Sequence, residues 1–124
     1  MLNYKIAEYT QAVVQDRPSF HVSFVIDVSP ECDCLPTNDA AIIPDIGIFA
    51  STDPVALDQA CVDAVNATPA LSGTIIDECG CGDDHHHHHD YFTAMHPDTC
   101  WQAALEHGEK IGLGVREYEL ITVK

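Results

Sequence analysis

Phe20-His21-Val22-Ser23-Phe24-Val25-Ile26-Asp27-Val28 decides how the rest of the chain is read. Phe20, Val22, Phe24, Ile26 and Val28 share one face of an extended chain, and His21, Ser23, Val25 and Asp27 share the other. That period of two predicts a strand with an apolar and a more polar side. Upstream, Leu2, Ile6, Tyr9 and Val13 recur at spacings of three and four and leave Lys5, Glu8 and Gln11 outward. Residues 2–15 therefore read as an amphipathic helix, with Pro18 marking its end. Downstream, residues 29–39 hold Pro30, Pro36, Asn38 and two cysteines, which predicts a loop.

A second extended run covers residues 40–50, and Pro44 within it implies an edge position or a strand that begins at Asp45. Ser51-Thr52-Asp53-Pro54 is a helix start, with a capping side chain followed by proline in the first turn. Leu57, Ala60, Cys61, Ala64 and Val65 form the buried stripe expected of that helix, with Asp58, Gln59, Asp63 and Asn66 on its wet side. Residues 67–90 change character: Pro69, Ser72, Gly73, Gly80 and Gly82 surround a short apolar piece, and five histidines follow. This reads as a flexible, Cys/His-rich insertion. His96-Pro97-Asp98-Thr99 predicts another helix running to about residue 111, burying Trp101, Ala104, Leu105 and Gly108 and stopping at Gly112. A last strand is expected over residues 116–123. The order predicts one α/β domain over residues 1–124, a small mixed sheet packed with about three helices.

At 124 residues the chain has room for one core. Five Lys and Arg against 20 Asp and Glu give a net charge of −15, which repels phosphate backbones and anionic lipids. No nucleic-acid or membrane partner is expected, and metal cations are. No apolar stretch approaches the roughly 18 residues of a membrane span. Met1 is not followed by a secretory pattern, so a cytoplasmic setting is expected, where six cysteines read as thiols or metal ligands.

Cys32-Asp33-Cys34 places two sulfurs on the same side of an extended loop, where both can face one soft cation. Cys79-Gly80-Cys81 repeats the spacing, and two such pairs suit a tetrahedral zinc site or an iron–sulfur cluster. The plain alternative is solvent-facing thiols with no fixed ligand. His85, His86, His87, His88 and His89 suit loose binding of nickel, zinc or copper; a purification tag or a tolerated surface expansion are the competing readings. Asp45, with Asn38 and Asp39, offers oxygen donors near Cys32 and Cys34, and Asp27 ends its strand close by. Asp45, Asp53 and Asp58 bracket a strand-to-helix corner of the kind that holds ligands in open α/β sheets, although Asp53 also fits as the helix cap. Cys61 reads as a small core residue, Trp101 as core and His96 as a turn contact. Cys100 and His107 share a helix face, too far apart at ~10 Å of rise to chelate one ion. Neither a phosphate-cradling glycine loop nor an H-E-x-x-H motif is present.

Phe20-His21-Val22-Ser23-Phe24, the Cys32-Asp33-Cys34 loop with Asn38-Asp39, and Pro44-Asp45-Ile46-Gly47-Ile48 leading into Ser51-Thr52-Asp53-Pro54-Val55-Ala56-Leu57-Asp58 form a specific series. His96-Pro97, Trp101, Leu105-Glu106-His107, Glu109-Lys110-Ile111-Gly112-Leu113-Gly114 and Arg116-Glu117-Tyr118-Glu119-Leu120 continue it. The series resembles the C-terminal half of the domain-of-unknown-function 362 family, whose members are described as uncharacterised iron–sulfur center proteins. The resemblance spans nearly the whole chain outside residues 67–90. It implies that the chain begins where the family's domain is already under way, as a natural short form, a fragment, or half of an assembly in which a second copy or a partner chain supplies the missing N-terminal half. Longer members carry ferredoxin-type cysteine motifs ahead of this region; no C-x-x-C-x-x-C series occurs here, so only Cys32 and Cys34 match the family's later motif. Cys100 stands where an acidic residue is expected.

The expected function is that of a metal-binding or iron–sulfur-associated protein of anaerobic cytoplasm, in redox or metal handling and not catalytic by itself. Its ligands would be Cys32, Cys34, Asp45, Cys79, Cys81 and His85, His86, His87, His88 and His89. The cofactor would be zinc, nickel or iron, or an iron–sulfur cluster. The alternatives are a divalent-metal enzyme using the corner of Asp45, Asp53 and Asp58, and a non-catalytic interaction domain that exposes an apolar patch or forms a homodimer.

Overall fold

The structure, a computed structural model, describes residues 2–32, 34–37, 39–78 and 90–123. Its elements are α1 Leu2–Val14, β1 His21–Val25, β2 Gly47–Ser51, α2 Pro54–Ala67, α3 Ile75–Glu78, α4 Tyr91–Met95 and α5 Gln102–Lys110. The expected α/β arrangement of a small sheet and helices is observed. Helix α1 stops where Asp16 takes a left-handed conformation with φ 58°, a conformation that Asp tolerates better than most residues. Strands β1 and β2 pair antiparallel, from His21 opposite Ser51 to Val25 opposite Gly47. Side-chain and main-chain bonds tie the long connection to the sheet: Asp27 donates its N–H to Asp45 Oδ1 at 2.9 Å, and Ile42 donates to the Val28 carbonyl at 2.8 Å.

Helix α2 begins as its sequence dictates. Asp53 is extended and its Oδ1 accepts the N–H groups of Val55 and Ala56 at 2.9 and 3.0 Å, with proline in the first turn. The helix lies across both strands, α5 packs on α2, and α1 packs on α5. The principal core gathers Val25, Ile42, Ile43, Val65, Ile76 and Tyr91, with Ile43 and Ile76 at 1% and 0% exposure. Helix α5 ends in a Schellman turn: Leu113 donates to Gly108 O at 2.9 Å and Gly112 to Glu109 O at 3.1 Å, with Gly112 at φ 79°.

Three expectations change. The helix start at residues 96–99 is a turn, closed by Thr99 N–H on His96 O at 3.0 Å, and α5 begins at Gln102. Residues 116–123 form no strand; from Tyr118 on they face β2 across a cleft of about 610 Å³ that both line. Most consequential is which faces are covered. Helix α1 buries Ala7 and turns polar groups toward α5, where Gln11 donates to Ile111 O at 2.7 Å and Glu8 meets His107 at 3.3 Å. Its apolar stripe is bare, with Tyr9 at 72% exposure and Leu2, Ile6 and Val13 exposed beside it. Likewise β1 buries Val25 and half-buries His21 and Ser23, while Phe20, Val22, Phe24 and Ile26 are exposed, as is Ile48 on β2.

Candidate functional site

Cys32 and Cys34 lie in the loop after β1, in a turn closed by the Leu35 N–H on the Cys32 carbonyl at 2.9 Å. Both are exposed thiols. The neighbouring Cys32 thiol, with a smaller contribution from the charge of Glu31, pushes the Cys34 thiol above its usual value. The segment is a turn and not the extended loop that the spacing argument assumed. Nearby, the His96 ring nitrogen Nε2 approaches the Pro30 carbonyl at 2.8 Å and pins the loop to the turn after α4. That tie joins residues 66 positions apart, and no local sequence pattern announces it.

The other expected donors scatter. Asp45 is occupied in closing the sheet connection through its bond to Asp27. Asn38, Cys79, Cys81 and His85, His86, His87, His88 and His89 lie outside the described residues. Among the described residues, no group of three or more His, Cys, Asp or Glu is placed to hold a metal ion. Two thiolates fall short of the four that hold an iron–sulfur cluster.

The acidic corner does not converge. Asp45 and Asp53 flank β2 at opposite ends, with its five residues between them, about 16 Å of extended chain. Asp53 is fully employed: besides capping α2, its Oδ2 accepts the Val115 N–H at 2.9 Å and so clasps the chain after α5. A Cβ at Gly114 would collide with that carboxylate, which explains the glycine. Asp58 sits on α2 toward β1, where loss of hydration pushes its carboxyl up and His21 pulls it down, though part of it stays open to water. Burial also raises the Cys61 thiol, against a smaller lowering influence from Ser23 across the same helix–sheet seam. Cys61 is half-buried and packs against the core as expected. Cys100 is exposed, its carbonyl accepting from the Asn3 amide, and His107 is turned to Tyr4 and Glu8 instead of to Cys100.

One polar hub was not anticipated. Asp90 caps α4 through Thr93 and accepts the Trp101 indole N–H at 2.9 Å. Burial works to raise its carboxyl, but the bonds from Thr93 and Trp101 outweigh it and hold Asp90 below the usual carboxylate range. The D-x-x-T spacing of Asp90 and Thr93 was the available signal.

The features left over, beside the bare stripe of α1, are therefore apolar. Phe20, Val22, Phe24, Ile26 and Ile48 form an exposed sheet face without a single charged side chain, opposite the face that packs on α2. Among the described residues, no helix is long and apolar enough to cross a membrane.

Residues 1–63 match the family model described as Domain of unknown function (DUF362). The match covers just over half of the chain, from α1 into α2, and the chain belongs to that family. No curated protein and no solved structure matches it.

Proposed function

We propose that this member of the DUF362 family is an assembly module, whose bare sheet face packs against the same face of a second copy. The observation that carries the reading is the inverted burial of β1: Phe24, at 63% exposure, faces water while Ser23 beside it faces α2. Leaving such side chains in water forgoes roughly 1.5–3 kcal/mol each, and a two-stranded sheet with one bare face is marginal alone. A covering surface supplies both deficits.

Charge and area point to a second copy. Each copy carries −15, yet the face itself holds no charge, so two faces meet without burying one. The five side chains leave on the order of 500 Å² open, since one aromatic alone offers ~150–250 Å². Two faces together reach about 1,000 Å², the lower bound of a specific interface. Light scattering across micromolar concentrations tests this. The full chain should run as a dimer, Phe24→Glu as a folded monomer, and Ile6→Glu on α1 as a dimer still. A wild-type monomer at every concentration, or a dimer that Phe24→Glu leaves intact, overturns the reading.

A second reading is supported by the two exposed thiols that one turn carries, Cys32 and Cys34: a cytoplasmic soft-cation clamp for zinc, nickel or iron, completed by Cys79, Cys81 and His85 to His89. The acidic balance favours cations over anions at such a loop. Metal analysis of protein purified without an affinity column checks it. Metal-free protein whose melting temperature ignores added zinc, nickel and iron would sink it.

A further inference from the structure

The cleft between β2 and the end of the chain belongs to neither of those readings, and its two long walls are main chain. Residues 46–51 line it without a gap, where a groove over one face of a strand would meet only every second residue. No residue of β1 lines it, so it runs along the edge of β2 turned away from β1. Residues 118–123 line the opposite wall, again without a gap. Among the described residues, 117–123 make no backbone hydrogen bond, and β2 pairs with β1 alone. Two stretches of main chain with free donors and acceptors therefore border one channel, the arrangement that accepts an added strand.

Size and charge say what fits. A strand residue takes up roughly 3.3 Å along the chain, 4.8 Å across and 10 Å through the layer, on the order of 160 Å³. The cleft, at about 610 Å³, holds about four such residues. Its floor is α2, through Ala56, Leu57 and Ala60. Ala56 and Ala60 lie one turn apart, and their short side chains leave room for larger apolar groups above them. The single charged residue in the lining is Glu119. Glu117 stands next to that wall, and Asp63 joins it by accepting the Tyr118 hydroxyl at 2.8 Å. Arg116, the cation just before the wall, is held by Glu109 at 3.1 Å. The channel is thus apolar within and acidic at its rim.

We propose that the free edge of β2 takes up an extended peptide segment of a partner protein, apolar at alternate positions and flanked by Lys or Arg. The peptide pairs with the main chain of β2 and is enclosed by residues 118–123. Its inward side chains rest on α2, and its basic flanks meet the acidic rim. This pairing runs through main-chain groups at the edge, whereas the self-contact proposed above runs through side chains on the face, so each can fail without the other.

Fluorescence anisotropy on the full chain tests this with the synthetic peptide Lys-Lys-Val-Thr-Val-Thr-Lys-Lys. It should bind, and Phe24→Glu should bind it equally well. Glutamate flanks should weaken binding at least ~10-fold at low salt, with the gap shrinking at about 0.5 M salt. N-methylating every nitrogen of the Val-Thr stretch, which removes the strand donors, should also weaken it at least ~10-fold. Glu119→Lys, at an exposed site, should narrow the preference for lysine flanks severalfold. In hydrogen exchange the peptide should slow residues 46–51 and 118–123 and leave α1 unchanged. No binding at millimolar peptide, or equal binding of the N-methylated peptide, overturns the proposal. A flank preference that Glu119→Lys leaves unchanged overturns the basic partner. Slow exchange at residues 118–123 without peptide would mean that the chain's own end closes on β2, and affinity that falls as the chain is concentrated would mean that a second copy fills the cleft; either result overturns it as well.

Discussion

Helix α2 and strand β1 carry comparably regular apolar patterns, and the fold treats them in opposite ways. In α2, Val55, Leu57, Ala60 and Val65 are buried, and the wet-side residues Asp58 and Asp63 are exposed. In β1 and its neighbour β2, the exposed set is Phe20, Val22, Phe24, Ile26 and Ile48, and the packed side mixes His21, Ser23 and Ser51 with Val25 and Phe49. The difference teaches that periodicity finds an element's two faces, but the inventory of neighbours decides which face is covered. Helix α2 sits in the middle of the stack, between the sheet and α5, and the sheet lies at its end. An end layer with its more apolar face outward has the form of half an interface.

The sharpest way to break the comparison is to place a charge on the end layer. Phe24→Glu enters a two-fold contact once from each copy, and desolvating two carboxylates should raise the dissociation constant at least ~1,000-fold, about 4 kcal/mol. Sedimentation equilibrium reads this directly, and a shift under tenfold would put the interface elsewhere. Next in size is the middle layer: Leu57→Ala, at a buried position facing the sheet, should cost about 2–4 kcal/mol in denaturant unfolding at every protein concentration. Val22→Ala, by contrast, should cost stability only where the dimer forms. Equal, concentration-independent losses at both positions would erase the distinction between the layers.

Much of the secondary structure was legible. Residues 2–15 and the signal at Asp53-Pro54 gave α1 and α2 nearly to the residue, because capping and 3.6-residue periodicity are local. Gly112 was readable as a helix stop for the same reason. The covered faces of α1 and β1 were not legible, since they depend on what packs against them. Residues 116–123 alternate like a strand, yet the Asp53 clasp at Val115 holds their start on α2 and a cleft separates them from β2. Of the candidate site, the spacing of Cys32 and Cys34 was legible, but the turn that holds them was not, since the argument assumed an extended chain. The acidic corner misled because three carboxylates close in sequence were spread along a strand and a helix, and Asp53 was consumed by backbone donors on two segments.

Smaller effects sharpen the account of how the middle of the molecule is tied. Asp53→Ala removes the α2 cap and the clasp together and should cost about 1–2 kcal/mol; Gly114→Ala, which pushes on the same carboxylate, should be destabilising in the same assay. The smallest effect is at Asp90. Its folded carboxyl lies below the usual range, so its contribution is complete above the unfolded value near ~3.9 and is lost as pH falls through the lowered folded value. Asp90→Asn should cost about 1 kcal/mol at neutral pH and flatten the acid limb of stability, as urea midpoints between neutral and acid pH would report. An unchanged acid limb would remove Asp90 from the account.

The most direct measurement is the salt dependence of self-association in the unmodified full chain. Two copies at −15 repel, and an uncharged contact does not, so the dimer should tighten as salt screens the surround. Sedimentation velocity should show dimer gaining on monomer by roughly tenfold in association constant from low to about 0.5 M salt. A chain that stays monomeric throughout, or a dimer that weakens as salt is added, contradicts the claim that the bare sheet face pairs with itself.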